Sequence, residues 1–109
     1  MIHEENVDKA VDYLRNSAQE AAEARATVKY MAEFLKSKRA MLKAAQTGVS
    51  NAAAEDIALA DPAYLELLDG YRSAVEKDAF HSFKREAAAA LIDAWRTQSA
   101  TNRSLERLA

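Results

Sequence analysis

Few residues in this chain could do chemistry, and those that could fall into three groups. Lys36, Lys38 and Arg39 in "KSKR", with Lys43 a turn further on, form a dense cationic stretch of the kind that contacts phosphate. The stretch "AWRTQSATNR" holds the only tryptophan of the chain, with Arg96 and Arg103 and no acid among its residues. Trp95, Arg96 and Arg103 would serve as an anchor for a partner protein or as a stack for a base. Trp95 also lies four after Leu91, which equally suits packing against the first helix near Leu14 or Val11. The third group is Asp78 with His81, three apart on one helical face, which makes half of a carboxylate and histidine metal motif.

What surrounds these groups narrows the chemistry. A metal centre in a helical bundle needs several more inward carboxylates and a second helical histidine, and the other histidine, His3, stands at the start of the chain. His81 therefore reads as a boundary residue, and neither metal nor cofactor is expected. No serine has a base and an orienting acid at a recognisable spacing, and no glycine-rich phosphate loop occurs. Glu4 with Glu5, and Glu55 with Asp56, lack the apolar walls that acid–base catalysis requires. With no cysteine, disulfides, thiolate nucleophiles and cysteine-based zinc sites are excluded. The chain reads as a non-enzyme.

The elements that position these residues follow from composition. Half of the residues are hydrophobic, but 25 of the 109 are alanine, so bulky side chains are scarce and the helices must approach closely around a thin core. Only two glycines and one proline interrupt the chain, and no run alternates with period two, so the fold class is all-α. The length supports one domain. A first helix is predicted over 6–46, with a row of spacing four and three through Val7, Val11, Leu14, Ala18, Ala21, Arg25, Val28, Ala32, Leu35, Arg39, Leu42 and Gln46. Gly48 stops it. A connector over 47–61 carries a short helical stretch capped by Ser50 or Asn51.

Asp61 as N-cap and Pro62 at the first helical position open a second helix over 62–102, followed by a mobile tail at 103–109. Its apolar row is Tyr64, Leu68, Tyr71, Val75, Ala79, Phe83, Ala87, Ala90 and Ala94. These two helices make a long antiparallel αα-hairpin. A pair of helices cannot cover both rows and their flanks, where Met31, Phe34, Leu65, Leu67, Phe80 and Ile92 stand, so the hairpin is expected to dimerise into a four-helix bundle.

Charge falls in blocks along the chain, acidic at its start, basic over the end of the first helix, acidic in the connector and mixed beyond. With a turn near residue 55, Arg96, Arg103 and Arg107 face Glu4, Glu5, Asp8 and Asp12, while Lys36, Lys38, Arg39 and Lys43 face Glu66, Asp69 and Glu76. The blocks then neutralise each other, and the two charges that interrupt the rows, Arg25 and Glu86, pair across the hairpin or the dimer interface. Net charge is −2, which supplies no global attraction to nucleic acid or to an anionic membrane. The acidic start "MIHEENVDKA" reads against a secretory or transit leader, and no run suits a membrane span, so a cytoplasmic protein is expected.

The motifs "KSKRAMLKA", "GVSNAAAED", "YLELLDGYRSAV" and above all "ALIDAWRTQSATNR" together resemble a family of small helical proteins encoded in bacteriophage early regions near recombination genes. The last of these carries Ile92, Trp95, Arg96, Thr97, Gln98, Ala100 and Arg103. More distantly, the helical plan and the basic "KSKR" segment are similar to UvsY-type recombination mediators. That resemblance implies a self-associating accessory factor in DNA recombination or replication, whose partners are single-stranded DNA or a recombination protein. Lys36, Lys38, Arg39 and Lys43 would then contact phosphate, and Trp95, Arg96 and Arg103 a partner or a base. The other reading is a scaffold or adaptor that presents its surface to another protein and never touches nucleic acid.

Overall fold

The structure, a computed structural model, describes residues 1–109 and is all-α: α1 (Glu4–Asn16), α2 (Ala18–Ala44), α3 (Asn51–Ala60) and α4 (Pro62–Leu108). No helix is long and apolar enough to cross a membrane. Local chemistry sets the ends. Glu4 and Glu5 place negative charge in the first turn of α1, where the helix dipole favours it. Gly48, at φ 75°, takes the left-handed conformation just past α2. Ser50 caps α3, its Oγ accepting from the Ala53 N–H at 3.1 Å. Asp61 opens α4 in the same way, its Oδ1 accepting from the Ala63 N–H at 2.8 Å, and Pro62 follows where a missing N–H costs nothing. The helix continues to Leu108 rather than ending near Asn102, because "RSLERL" contains good helix formers and no breaker.

The chain divides into two compact units, one of Met1–Ala22 with Ala79–Ala109 and the other of Glu23–Asp78. In the first, α1 packs antiparallel to the C-terminal residues of α4: the Ile2 N–H donates to Gln98 Oε1 at 3.1 Å, and Arg85 Nη1 donates to the Leu14 carbonyl at 2.8 Å. Val7 and Ala10 are its buried apolar residues, and Ser17 and His81 are buried with them.

The single helix over 6–46 is in fact two, separated at Ser17. Arg85 is the physical reason the break is tolerated. Its Nη1 also donates to Ser17 Oγ at 2.7 Å, so one guanidinium satisfies a carbonyl left open at the end of α1 and the hydroxyl beside it.

In the second unit, α2 from Glu23 onward packs with α3 and the first residues of α4. Ala24, Leu35, Ala54 and Ala58 are buried there, and a Cβ on Gly70 would lie 3.3 Å from Met31 Cε. Arg25 Nε is 3.5 Å from Asp78 Oδ1. The sequence reading puts Arg25 against Glu86, about two helical turns further along α4. This pair places the effective turn of the unit near residue 51 or 52 rather than 55.

The inward rows also differ from those read off the sequence. On α1 and α2 the heptad Val7, Leu14, Ala21, Val28, Leu35 and Leu42 is covered as read, together with Val11 and Ala32, but Ala18, Arg25 and Arg39 are exposed and Ser17, Ala24 and Lys38 are covered in their place, with Ala10 and Met31 beside them. That choice leaves Arg25 and Arg39 in water and avoids their desolvation. On α4 the covered row is Leu67, Tyr71, Ala74 and Asp78 in one unit, and His81, Arg85, Ala88, Ile92, Trp95 and Ser99 in the other. The more apolar row, with Leu68, Val75 and Phe83, lies roughly a quarter turn away, and these three side chains are exposed.

Two stability measurements check this packing. Arg85→Met keeps the packed stem but strands the Leu14 carbonyl and the Ser17 hydroxyl, and should lower the unfolding free energy in urea by about 2 kcal/mol. Gly70→Ala should raise it by up to about 1 kcal/mol, since a flexible methionine end can yield a few tenths of an ångström while the helix gains propensity.

Candidate nucleic-acid and partner surfaces

The four cations near the end of α2 do not form one patch. At about 100° per residue, Lys36, Arg39 and Lys43 share one flank of the helix while Lys38 lies on the other. Lys36 and Arg39 are exposed and Lys43 is half-buried. Lys36 Nζ is 3.3 Å from Glu33 Oε1, a local pair in which both side chains are open to solvent and which contributes little to stability. Lys38 is half-buried and lines an open cavity of about 500 Å³ with Met31, Phe34, Glu66, Leu67 and Gly70. Of the acids expected opposite this stretch, Glu66 shares that cavity, whereas Asp69 is held by Arg72 of its own helix at 3.5 Å.

Beside Lys38 the structure places an aromatic pair absent from the sequence-based site. Tyr30 and Phe34 stack with ring centroids 6.1 Å apart and planes 15° from parallel, and they are 69% and 41% exposed. Met41 continues the same flank one or two turns on and is also exposed. The signal for this pair was present in the i, i+4 spacing of two aromatics next to a basic run. It was missed because Phe34 read only as an apolar residue off the main row.

On α4, Trp95 is half-buried on the covered row, between Ile92 and Ser99. The bond from Ile2 to Gln98 fixes the local register, so Trp95 comes level with the first turns of α1 and short of Val11 and Leu14. Leu14 is met by Arg85 instead. Arg96 and Arg103 are exposed. Arg96 Nη1 is 3.7 Å from Asp93 Oδ1, and the Asp93 carbonyl accepts from Thr97 Oγ1 at 3.1 Å. The acid-free motif is thus neutralised from the residue just before it. Trp95 and its arginines point to different sides of the helix.

Asp78 is engaged by Arg25, and His81 is buried with its Nδ1 lacking a hydrogen-bond partner. Its ring lies edge-on to Phe80 at 5.9 Å. Nearby Lys84 Nζ sits 4.6 Å from the centre of the Tyr13 ring and 5.7 Å from that of Phe80. No group of three or more histidines, cysteines and acids is placed to hold a metal ion.

No protein-family model, curated protein or solved structure matched the chain.

Trp95→Ala should lower the unfolding free energy by about 2 kcal/mol, below the range for a fully buried aromatic because Trp95 is only partly buried. Urea unfolding followed by circular dichroism measures the loss. A change under about 0.5 kcal/mol would mark Trp95 as a surface residue.

Proposed function

We propose that this chain is a non-enzymatic helical accessory protein of bacteriophage origin that works in the host cytoplasm in DNA recombination or replication. It acts through single-stranded DNA, a recombination protein, or both. Its fold in solution is a long antiparallel αα-hairpin, two copies of which close into a four-helix bundle. The observation that carries the nucleic-acid part is the exposed Tyr30–Phe34 stack with Lys38 on its flank. Single-stranded nucleic acid is bound without sequence preference by aromatic faces that take bases and cations that follow the phosphates, and this helix offers both. Lys36, Arg39 and Lys43, round the helix, supply further phosphate contacts. Trp95 supports α1 from the covered row, while Arg96 and Arg103 remain for a protein partner.

The second reading, a scaffold that never meets nucleic acid, is favoured by the net charge of −2 and by the local acids that already hold Lys36 and Arg96. A labelled single-stranded oligonucleotide titrated at several salt concentrations separates the two. Tyr30→Ala with Phe34→Ala should weaken binding at least about tenfold. Replacing Lys36, Arg39 and Lys43 by alanine should reduce the slope of log affinity against log salt by about 2. Absence of salt-sensitive binding at low ionic strength leaves the scaffold, whose partner should then co-purify from host lysate before and after nuclease treatment alike.

A further inference from the structure

The first residues of α4 present an open groove of about 550 Å³ lined by Leu65, Leu68, Asp69, Tyr71, Arg72 and Val75. All six belong to one helix, so the groove has a single wall. Leu65, Leu68 and Val75 are 49%, 41% and 41% exposed, and they lie roughly a quarter to a half turn from Leu67 and Gly70, which line the cavity shared with α2. Within the unit Tyr71 is partly covered, but Leu65, Leu68 and Val75 keep much of their surface open.

We infer that the Leu65–Leu68–Val75 flank of α4 is where a second copy of this chain docks. The inference rests on the oligomeric reading above and names its face. Surface area argues for a large missing contact. A folded monomer of 12.0 kDa exposes about 6,000 Å², whereas this chain exposes 8059 Å². The excess, about 2,000 Å², is carried by both units, residues 100–109 among them, and leaves room for the ~800 Å² that each partner covers in a standard interface. No large side chain of the chain is fully buried.

Charge argues that the occupant is another copy. The groove carries one acid and one base, Asp69 and Arg72, paired along the helix at 3.5 Å with both side chains mostly exposed. A two-fold axis brings the same patch against itself, so the acid of each copy falls near the base of the other and no net charge is buried. The apolar residues between them then form the second wall that the groove lacks.

Sedimentation equilibrium on the full chain tests this, with Leu68→Glu and Val75→Glu as the disruptive variants and Tyr30→Glu as the control on α2. The expected result is a dimer for the parent and the control, with association weakened at least about 30-fold by either α4 variant, and helix content by circular dichroism unchanged. A parent dimer that survives both α4 substitutions overturns this face and leaves the oligomeric reading standing. A parent that is monomeric at micromolar concentration overturns both. Should the acidic variants fail to fold, Leu68→Cys in this cysteine-free chain decides the matter. A short thiol cross-linker should join two copies through position 68 but not through Tyr30→Cys, and the reverse pattern overturns the proposal.

Discussion

Close approach between helices with small contact residues is the constraint from which the remaining features follow. Gly70, Ala74 and Ala88 are covered on α4, Ala10 and Ala24 are buried on α1 and α2, and Gly70 leaves only 3.3 Å between an added Cβ and Met31 Cε. Small contact residues permit short distances between axes, but they bury little area each, and hydrophobic stabilisation scales with area. The buried interior is therefore mostly alanine with Val7 and Leu35, while Leu68, Val75, Phe80 and Phe83 of α4 are exposed. Polar groups enter the covered row for the same reason. A thin core has room at its boundary for Arg85 to lay its stem along the helix and deliver its guanidinium to the end of α1.

Local chemistry was the most legible part of the fold. Asp61 before Pro62 announces a helix start through two independent physical requirements, an acceptor for orphan N–H groups and a residue that needs no donor of its own; the structure places both as read. Ser50 and Gly48 were legible for similar reasons. Rows and registers were less so. The row through Val11, Arg25 and Arg39 holds no more apolar residues than the one through Ala10, Ala24 and Lys38, and it buries two guanidiniums. The structure instead keeps the shared heptad and leaves both arginines exposed. On α4 the row held only in part, since Tyr64, Tyr71 and Ala79 are covered as read while Leu68, Val75 and Phe83 are exposed and Ile92 and Trp95 are covered in the last third of the helix. Nothing local marks Ser17 as a break, because what stabilises it is Arg85, distant in sequence.

The candidate sites show the same division between local and distant information. A basic run in sequence is a linear object, whereas a helix distributes it by angle, so "KSKR" divides into Lys36 and Arg39, joined by Lys43, on one flank and Lys38 on the other. Local acids further reduce what each cation can offer. Glu33 and Asp93 sit one turn from Lys36 and Arg96, and exposed pairs of this sort are weak enough for a phosphate to displace. A net negative chain can thus bind an anion only through a short, locally cationic and aromatic face, and the affinity must fall steeply with salt.

Self-association and nucleic-acid contact would use different surfaces of the same unit. On α2 the Tyr30–Phe34 stack lies on the flank that leads to the Lys38 cavity, and on α4 that cavity is met by Leu67 and Gly70. Leu68 and Val75 turn away from it on their own helix. A second copy seated on Leu68 would leave the aromatic stack uncovered, so dimerisation doubles the number of stacking faces instead of hiding them. Two weak faces held on one particle act on a single strand with a high effective concentration, provided that the strand is long enough to reach both. For a chain of net charge −2, that multiplication would be the physical route by which weak contacts at each face add up to useful binding.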